Sequence, residues 1–204
     1  MLIVSASPFI RLGLRSILKE MGVASVLHET PTAREAQSCI TPDLDLVIMD
    51  PELPDMNPIS FVQQVRRQAE LAPILFCGGR SATLYASLAM KLNVDGYLGD
   101  LADEKTIGAT IRTVLGGMRC FPRREAADAL SQKMQALSRK ELTVLLLLRQ
   151  GLRNKDIAQR LFLSEKTISA HKQKVLHKLG VNAITQISET RAPADFVNET
   201  PQLF

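Results

Sequence analysis

The sequence predicts an α/β domain built on a five-stranded parallel sheet, followed by a small all-α domain. Three observations predict it. Short apolar runs alternate five times with helical periodicity over roughly the first 115 residues. A Gly116-Gly117 pair and a charged, proline-containing stretch then break the pattern. Beyond that break there is no convincing strand, and positive charge becomes concentrated. The chain has 204 residues, 46% of them hydrophobic and 23% charged, which suits two folded domains and not a disordered or fibrous chain.

In the first domain, Leu2-Ile3-Val4 reads as a buried strand, and Ile10, Leu14, Ile17, Leu18 and Met21 fall on one face of a helix ending near Gly22. Residues 24–29 form the second strand, with a helix to about Ile40. Residues 44–50 are the clearest strand, in which Leu46-Val47-Ile48-Met49 ends abruptly at Asp50. A helix over 59–69, a strand over 74–77, a helix over 83–92, a strand over 96–98 and a helix over 105–115 complete the alternation. Such a pattern implies parallel strands covered on both faces through right-handed crossovers. Chemistry in such sheets sits at the carboxyl ends of the strands, here the loops after Val4, Met49, Cys77 and Leu98.

Residues 119–136 read as a linker, and the second domain begins at Leu137. Ser138-Arg139-Lys140-Glu141 fits a capping box, and the helix it starts runs to Gln150 and stops at Gly151. Asn154 caps a second helix over 155–161, Ser164 caps a third over 165–179, and Gly180 ends it. Only Phe162-Leu163-Ser164 join the last two, a turn of helix-turn-helix length. From Leu137 to Val181 there are ten basic residues against three acidic ones, a balance of +7, so the remainder carries −3 of the chain's +4. That asymmetry points to a polyanion-binding module joined to a mildly acidic one. On the third helix Ile168, Val175, Leu176 and Leu179 face inward, which leaves Lys166, Ser169, Ala170, Lys172, Gln173 and Lys174 for another surface. Short residues near the start of a helix, with lysines around them, suit entry into the major groove of double-stranded DNA.

Other classes find little support. Cys39, Cys77 and Cys120 are odd in number and widely spaced, which indicates neither a disulfide framework nor a zinc site. Met1 to Pro8 has no basic start and too short an apolar run for a signal or membrane segment, so a cytoplasmic location and no membrane partner are expected. No glycine-rich phosphate loop follows the first strand, and His28 is the only histidine of the first domain. Neither an enzyme nor a cofactor is expected.

Leu137 to Leu145, Gly151 to Ala158, Leu163 to His171 and the closing Lys178-Leu179-Gly180-Val181 together resemble the LuxR/NarL-type DNA-binding domain over about 45 residues. The resemblance implies that Glu165 to Lys178 is the recognition helix. It also implies that Lys166, Ser169, Ala170 and Lys174 reach bases, with Lys155, Ser164, Thr167, His171, Lys172 and Lys178 nearer the phosphates. A fourth helix over 183–190 would be a dimer contact, and 191–204 a disordered tail.

Asp50-Pro51-Glu52-Leu53-Pro54, with Gly96-Tyr97-Leu98, makes residues 1–118 resemble the flavodoxin-like (βα)5 receiver domain of bacterial response regulators. In that family an aspartate in the place of Asp50 accepts a phosphoryl group. An acidic pair after the first strand holds a divalent cation there, and a hydroxyl and a lysine after the fourth and fifth strands hold the product. Here the pair is Ser5-Ala6, the hydroxyl position is Cys77 or Gly78, the lysine position is Asp100, and Pro58 stands where glycine is usual. The expectation is a pseudo-receiver, with no metal and an unphosphorylated Asp50. It would serve as a dimerisation or partner-binding module in a homodimer or a heterodimer with another response regulator. A conventional regulator phosphorylated on Asp50, and an antagonist that binds a partner regulator without touching DNA, are the alternatives.

Overall fold

Alternation within very short strands sets the first domain. The computed structural model describes residues 1–23, 26–79, 82–99, 102–121 and 129–188. Strands β1 (Leu2–Val4), β2 (His28–Thr30), β3 (Val47–Met49), β4 (Ile74–Cys77) and β5 (Gly96–Leu98) form one parallel sheet in the order β2-β1-β3-β4-β5. Leu2, Val4, Val47, Met49, Ile74 and Phe76 face one core, and Ile3, Ile48 and Leu75, between them in sequence, face the other.

Helices α1 (Pro8–Glu20) and α5 (Glu104–Leu115) close the second face through Leu14, Leu18, Ile111 and Val114. Helices α2 (Ala33–Ala36), α3 (Pro58–Gln68) and α4 (Ala82–Lys91) close the first through Ala36, Phe61, Val65 and Leu88. The strand order reverses between β1 and β3, so the loops after Val4 and Met49 open side by side.

Three boundaries differ from the sequence expectation, the first being β3, which covers Val47–Met49 and not 44–50. The second strand lies at His28–Thr30 and not over 24–29, of which 24 and 25 fall outside the described residues. The reason is register: β1 is only three residues long and pairs Leu2 with His28 and Val4 with Thr30, which leaves Val26 60% exposed. The helix expected to reach Ile40 is a four-residue α2 followed by a 3-10 turn, Gln37–Cys39.

Part of the segment expected to be a linker carries structure. Cys120 extends the sheet alongside β5, accepting from the Tyr97 amide at 3.0 Å and donating to the Asp95 carbonyl at 2.9 Å. Gly96 permits this approach, because a Cβ there would stand 2.8 Å from the Cys120 carbonyl oxygen. Helix α6 (Ala129–Gln135) then packs on α4. The helices α7 (Arg139–Arg149), α8 (Asn154–Leu161) and α9 (Glu165–Leu179) follow. A 3-10 turn, Ile184–Ser188, stands where a fourth helix over 183–190 was expected, and the expected tail, 191–204, lies outside the described residues.

The two domains share one continuous apolar cluster, in which Leu84, Tyr85 and Leu88 of α4 join Met134, Leu137, Leu145, Val175 and Leu179. Polar contacts reinforce this seam. The Gln135 amide donates to the Ser87 carbonyl at 3.3 Å, and the Lys91 ammonium donates to the carbonyls of Gln135, at 2.6 Å, and Leu137. Gln135 is the last residue of α6, at the negative end of that helix, where a cation is favoured. No described helix is long and apolar enough to cross a membrane.

Candidate functional site

The second domain builds its outer surface from two capped helices joined by a tight turn. The Ser164 hydroxyl accepts from the Thr167 amide at 3.1 Å and shares a hydrogen with the Thr167 hydroxyl at 2.8 Å, which starts α9. Phe162, in the turn, is left-handed (φ 55°) and 96% exposed, while Leu163 tucks toward the small core of Val144, Leu147, Ile157, Ala158 and Ile168. Ile168, Val175 and Leu179 are buried, as their spacing predicts, and Leu176 is half-buried. Lys155, Ser164, Lys166, Ser169, Ala170 and Lys174 are exposed, and Thr167, His171 and Lys172 are half-buried.

Gln173 is exposed, as its spacing predicts, four residues after Ser169 and three after Ala170, so it continues the same stripe of α9. Two findings on this surface were not legible in the sequence. Lys178 turns inward: its ammonium lies 2.7 Å from Glu141 and 3.1 Å from the Ala136 carbonyl, on the domain seam and away from the expected phosphate contact. Asn154 does not cap α8. Arg153 takes that position, its amide donating to the Asp156 carboxylate at 3.3 Å, and the Asn154 side chain instead donates to the Ser169 hydroxyl at 3.1 Å.

Glu141 anchors the seam. It is 4% exposed, closes the expected capping box by accepting from the Ser138 amide at 2.7 Å, and receives Lys178. Burial works against its charge, but the hydrogen bonds from Lys178 and Ser138 prevail and hold its carboxyl below the ordinary value. Nearby, burial lowers the Lys91 ammonium, and the Lys178 charge lowers it further, against the pull of Glu141.

On the sheet's carboxyl edge, Asp50 follows β3 and its amide donates to the Val4 carbonyl at 2.8 Å. Its carboxylate accepts from the Glu52 amide at 2.8 Å and from the hydroxyl of Ser5, itself 1% exposed, at 3.3 Å. Glu52 in turn accepts from Tyr85 at 3.0 Å. Burial and then the Glu52 charge push the Tyr85 phenol far above its ordinary range, so it stays protonated; Arg149 of α7 acts by charge in the opposite sense. Tyr85 lies over Gly79 (φ 98°), where a Cβ would stand 2.4 Å from its ring. The neighbouring loop touches the second domain too: the Arg160 guanidinium donates to the Asp55 carbonyl at 3.1 Å.

Residues 1–112 match the family model described as response regulator receiver domain, and residues 135–189 match that of bacterial regulatory proteins, luxR family. The chain belongs to the LuxR-family response regulators. The Fimbriae Z protein of Salmonella typhimurium is 31% identical over 195 residues, 91% of this chain and 92% of that protein. The Fimbriae Z protein of Escherichia coli K12 is 28% identical over 194 residues, with 91% and 92% covered. Among solved structures, RcsB from Salmonella enterica serovar Typhimurium bound to promoter P1flhDC, in the presence of the phosphomimetic BeF3-, shares the fold. The TM-score is 0.73 at 21% identity, covering 93% of this chain and 98% of that one.

Response regulators that take up a phosphoryl group hold a divalent cation beside the acceptor aspartate, and the residues of this regulator do not fit one. Ser5 brings a hydroxyl where a carboxylate is needed and directs it at Asp50, while Ala6 brings no ligand. Glu52 is bonded to Tyr85, and among the described residues no three His, Cys, Asp or Glu side chains cluster as ligands. β4 ends at Cys77, so the expected hydroxyl position falls on Gly78 (φ 95°), which has no side chain to offer. Asp100, in the expected lysine position, lies outside the described residues.

Proposed function

We propose that this response regulator binds double-stranded DNA through α9 as a symmetric pair, or paired with another response regulator, and that its receiver-like domain acts without phosphorylation as the pairing or partner-binding module. The observation that carries the reading is which face of α9 is already occupied. Val175 and Leu179 are buried and Lys178 is bonded to Glu141 and the Ala136 carbonyl, while Lys166, Ser169, Ala170, Gln173 and Lys174 stay open to solvent. A helix already exposed needs no phosphoryl-driven opening to reach a groove.

Base contacts are assigned to Lys166, Ser169, Ala170 and Lys174, with Gln173 added as an adenine reader through its paired donor and acceptor. Lys155, Ser164, Thr167, Lys172 and His171 are assigned to the backbone. Pairing follows from size, since one such domain covers only a half-site.

The electrostatics of Asp50 support independence from phosphorylation. An incoming phosphoryl group there meets the Asp50 and Glu52 charges with no acidic cradle for a neutralising cation among the described residues. Retention of Asp50, half-exposed where the strand order reverses, is the observation favouring a phosphorylated regulator. Incubation with acetyl phosphate and magnesium, read by intact mass, separates the two: no adduct is expected, and a stoichiometric phosphoryl adduct lost in Asp50→Ala overturns the proposal.

A further inference from the structure

We infer that Asn154 turns Ser169 into a hydrogen-bond donor toward DNA, so that the base edge facing Ser169 is favoured when it presents an acceptor and cytosine is disfavoured there. The inference deepens the reading of α9 as the groove-entering helix and rests on it. A serine hydroxyl has one hydrogen to give and two lone pairs to receive with. The Asn154 amide occupies a lone pair of Ser169 Oγ from a distance of 3.1 Å.

The Ser169 hydrogen has no acceptor among the described residues. Hydroxyls inside a helix commonly turn back onto the carbonyl four residues earlier, as Thr113 does onto Ala109 and Thr143 onto Arg139, both at 2.9 Å. Ser169 makes no such bond, and its side chain is exposed. Its hydrogen is therefore directed outward, on the same face as Ala170 and Gln173.

Toward the major groove, guanine offers N7 and O6, adenine N7 and thymine O4 as acceptors, whereas cytosine offers only its amino group. An outward O–H thus suits three bases, while the fourth can use only the one lone pair of Ser169 that Asn154 leaves free. Asn154 lies on α8 and acts only through Ser169, so it is a positioning residue. Its substitution should change which base is chosen and not merely how tightly DNA is held. Asn154→Asp supplies a carboxylate that can only accept. Ser169 then turns its hydrogen inward and presents lone pairs, which suit the cytosine amino group.

The test is selection of bound duplexes from a randomised pool at low ionic strength with the full chain, its Ser169→Ala, Asn154→Asp and Asn154→Ala variants. The expected result is one position per half-site where cytosine is depleted about five-fold or more, the worth of a single hydrogen bond. Ser169→Ala evens out that position, Asn154→Asp admits cytosine at it, and Asn154→Ala, which leaves the Ser169 hydroxyl free to rotate, broadens it. The inference is overturned if Ser169→Ala alters no position, if the altered position already accepts cytosine, or if Asn154→Asp keeps the parental profile. Should Asn154→Asp not fold, an unchanged profile in Asn154→Ala overturns it equally. If the parental chain retains no duplex at all, the DNA reading itself fails. If it binds duplex and the Asn154 variants change nothing, only this inference does.

Discussion

The salt dependence of DNA binding can be worked from the exposed charge. Along the start of α8 and on α9, four unpaired lysine charges stand against the duplex, Lys155 and Lys172 at the backbone and Lys166 and Lys174 in the groove beside it, each able to displace a counterion, and Lys178 is held by Glu141. A symmetric pair therefore brings about eight such charges, and the logarithm of its affinity should fall with the logarithm of salt concentration at a slope of about −7. Between about 50 and about 200 mM salt that is a loss of about ten-thousand-fold. Fluorescence anisotropy of a labelled duplex, titrated at several potassium chloride concentrations, measures it. Lys174→Ala removes two charges from the pair and should make the slope shallower by about 2, whereas Lys178→Ala should leave it unchanged. A parental slope shallower than about −3, or an equal effect of the two substitutions, would refute the reasoning.

Two further outcomes concern the scaffold. Glu141→Gln keeps an acceptor for the Ser138 amide but loses the Lys178 pair, and Lys178, with 36% of its side chain exposed, can regain water. Urea unfolding at neutral pH should register a cost of about 1–2 kcal/mol. The Glu141 carboxyl titrates below its ordinary value of 4.5 when folded, so its stabilisation is complete above that value and vanishes as pH falls through the folded one. The parental chain and the variant should therefore converge in acid, and a constant gap from pH 7 to pH 3 would contradict the assignment. Phe162→Gly relieves a left-handed, 96% exposed residue and should stabilise the domain by about 1 kcal/mol, read as a raised urea midpoint.

Much of this regulator is legible from local patterns. The apolar triplets of the sheet, the Ser138–Glu141 box, the Ser164 cap and the Gly180 stop occupy the places their spacing predicts. Each depends on residues a few positions apart, where backbone geometry fixes who meets whom. The second strand is different, because its span follows from pairing with a three-residue β1 some 26 positions away. The candidate interface divides along the same line. Spacing on α9 separates the buried Ile168 and Val175 from the open Lys166 and Lys174, but it is silent on Lys178, whose partner lies 37 residues earlier.

The sequence alone determined that an alternating α/β domain precedes a basic, capped helix-turn-helix, and that Ser5-Ala6 stand where the resemblance to receiver domains leads one to expect an acidic pair. Those properties are written in residue identity and short-range periodicity. Only the tertiary structure decided that Lys91 and Lys178 converge on the end of α6, that Ser5 donates to Asp50, and that Asn154 reaches Ser169 instead of capping its own helix. A side-chain polar group takes whichever partner the packed backbone brings within about 3 Å, and that choice is made between segments distant in the chain.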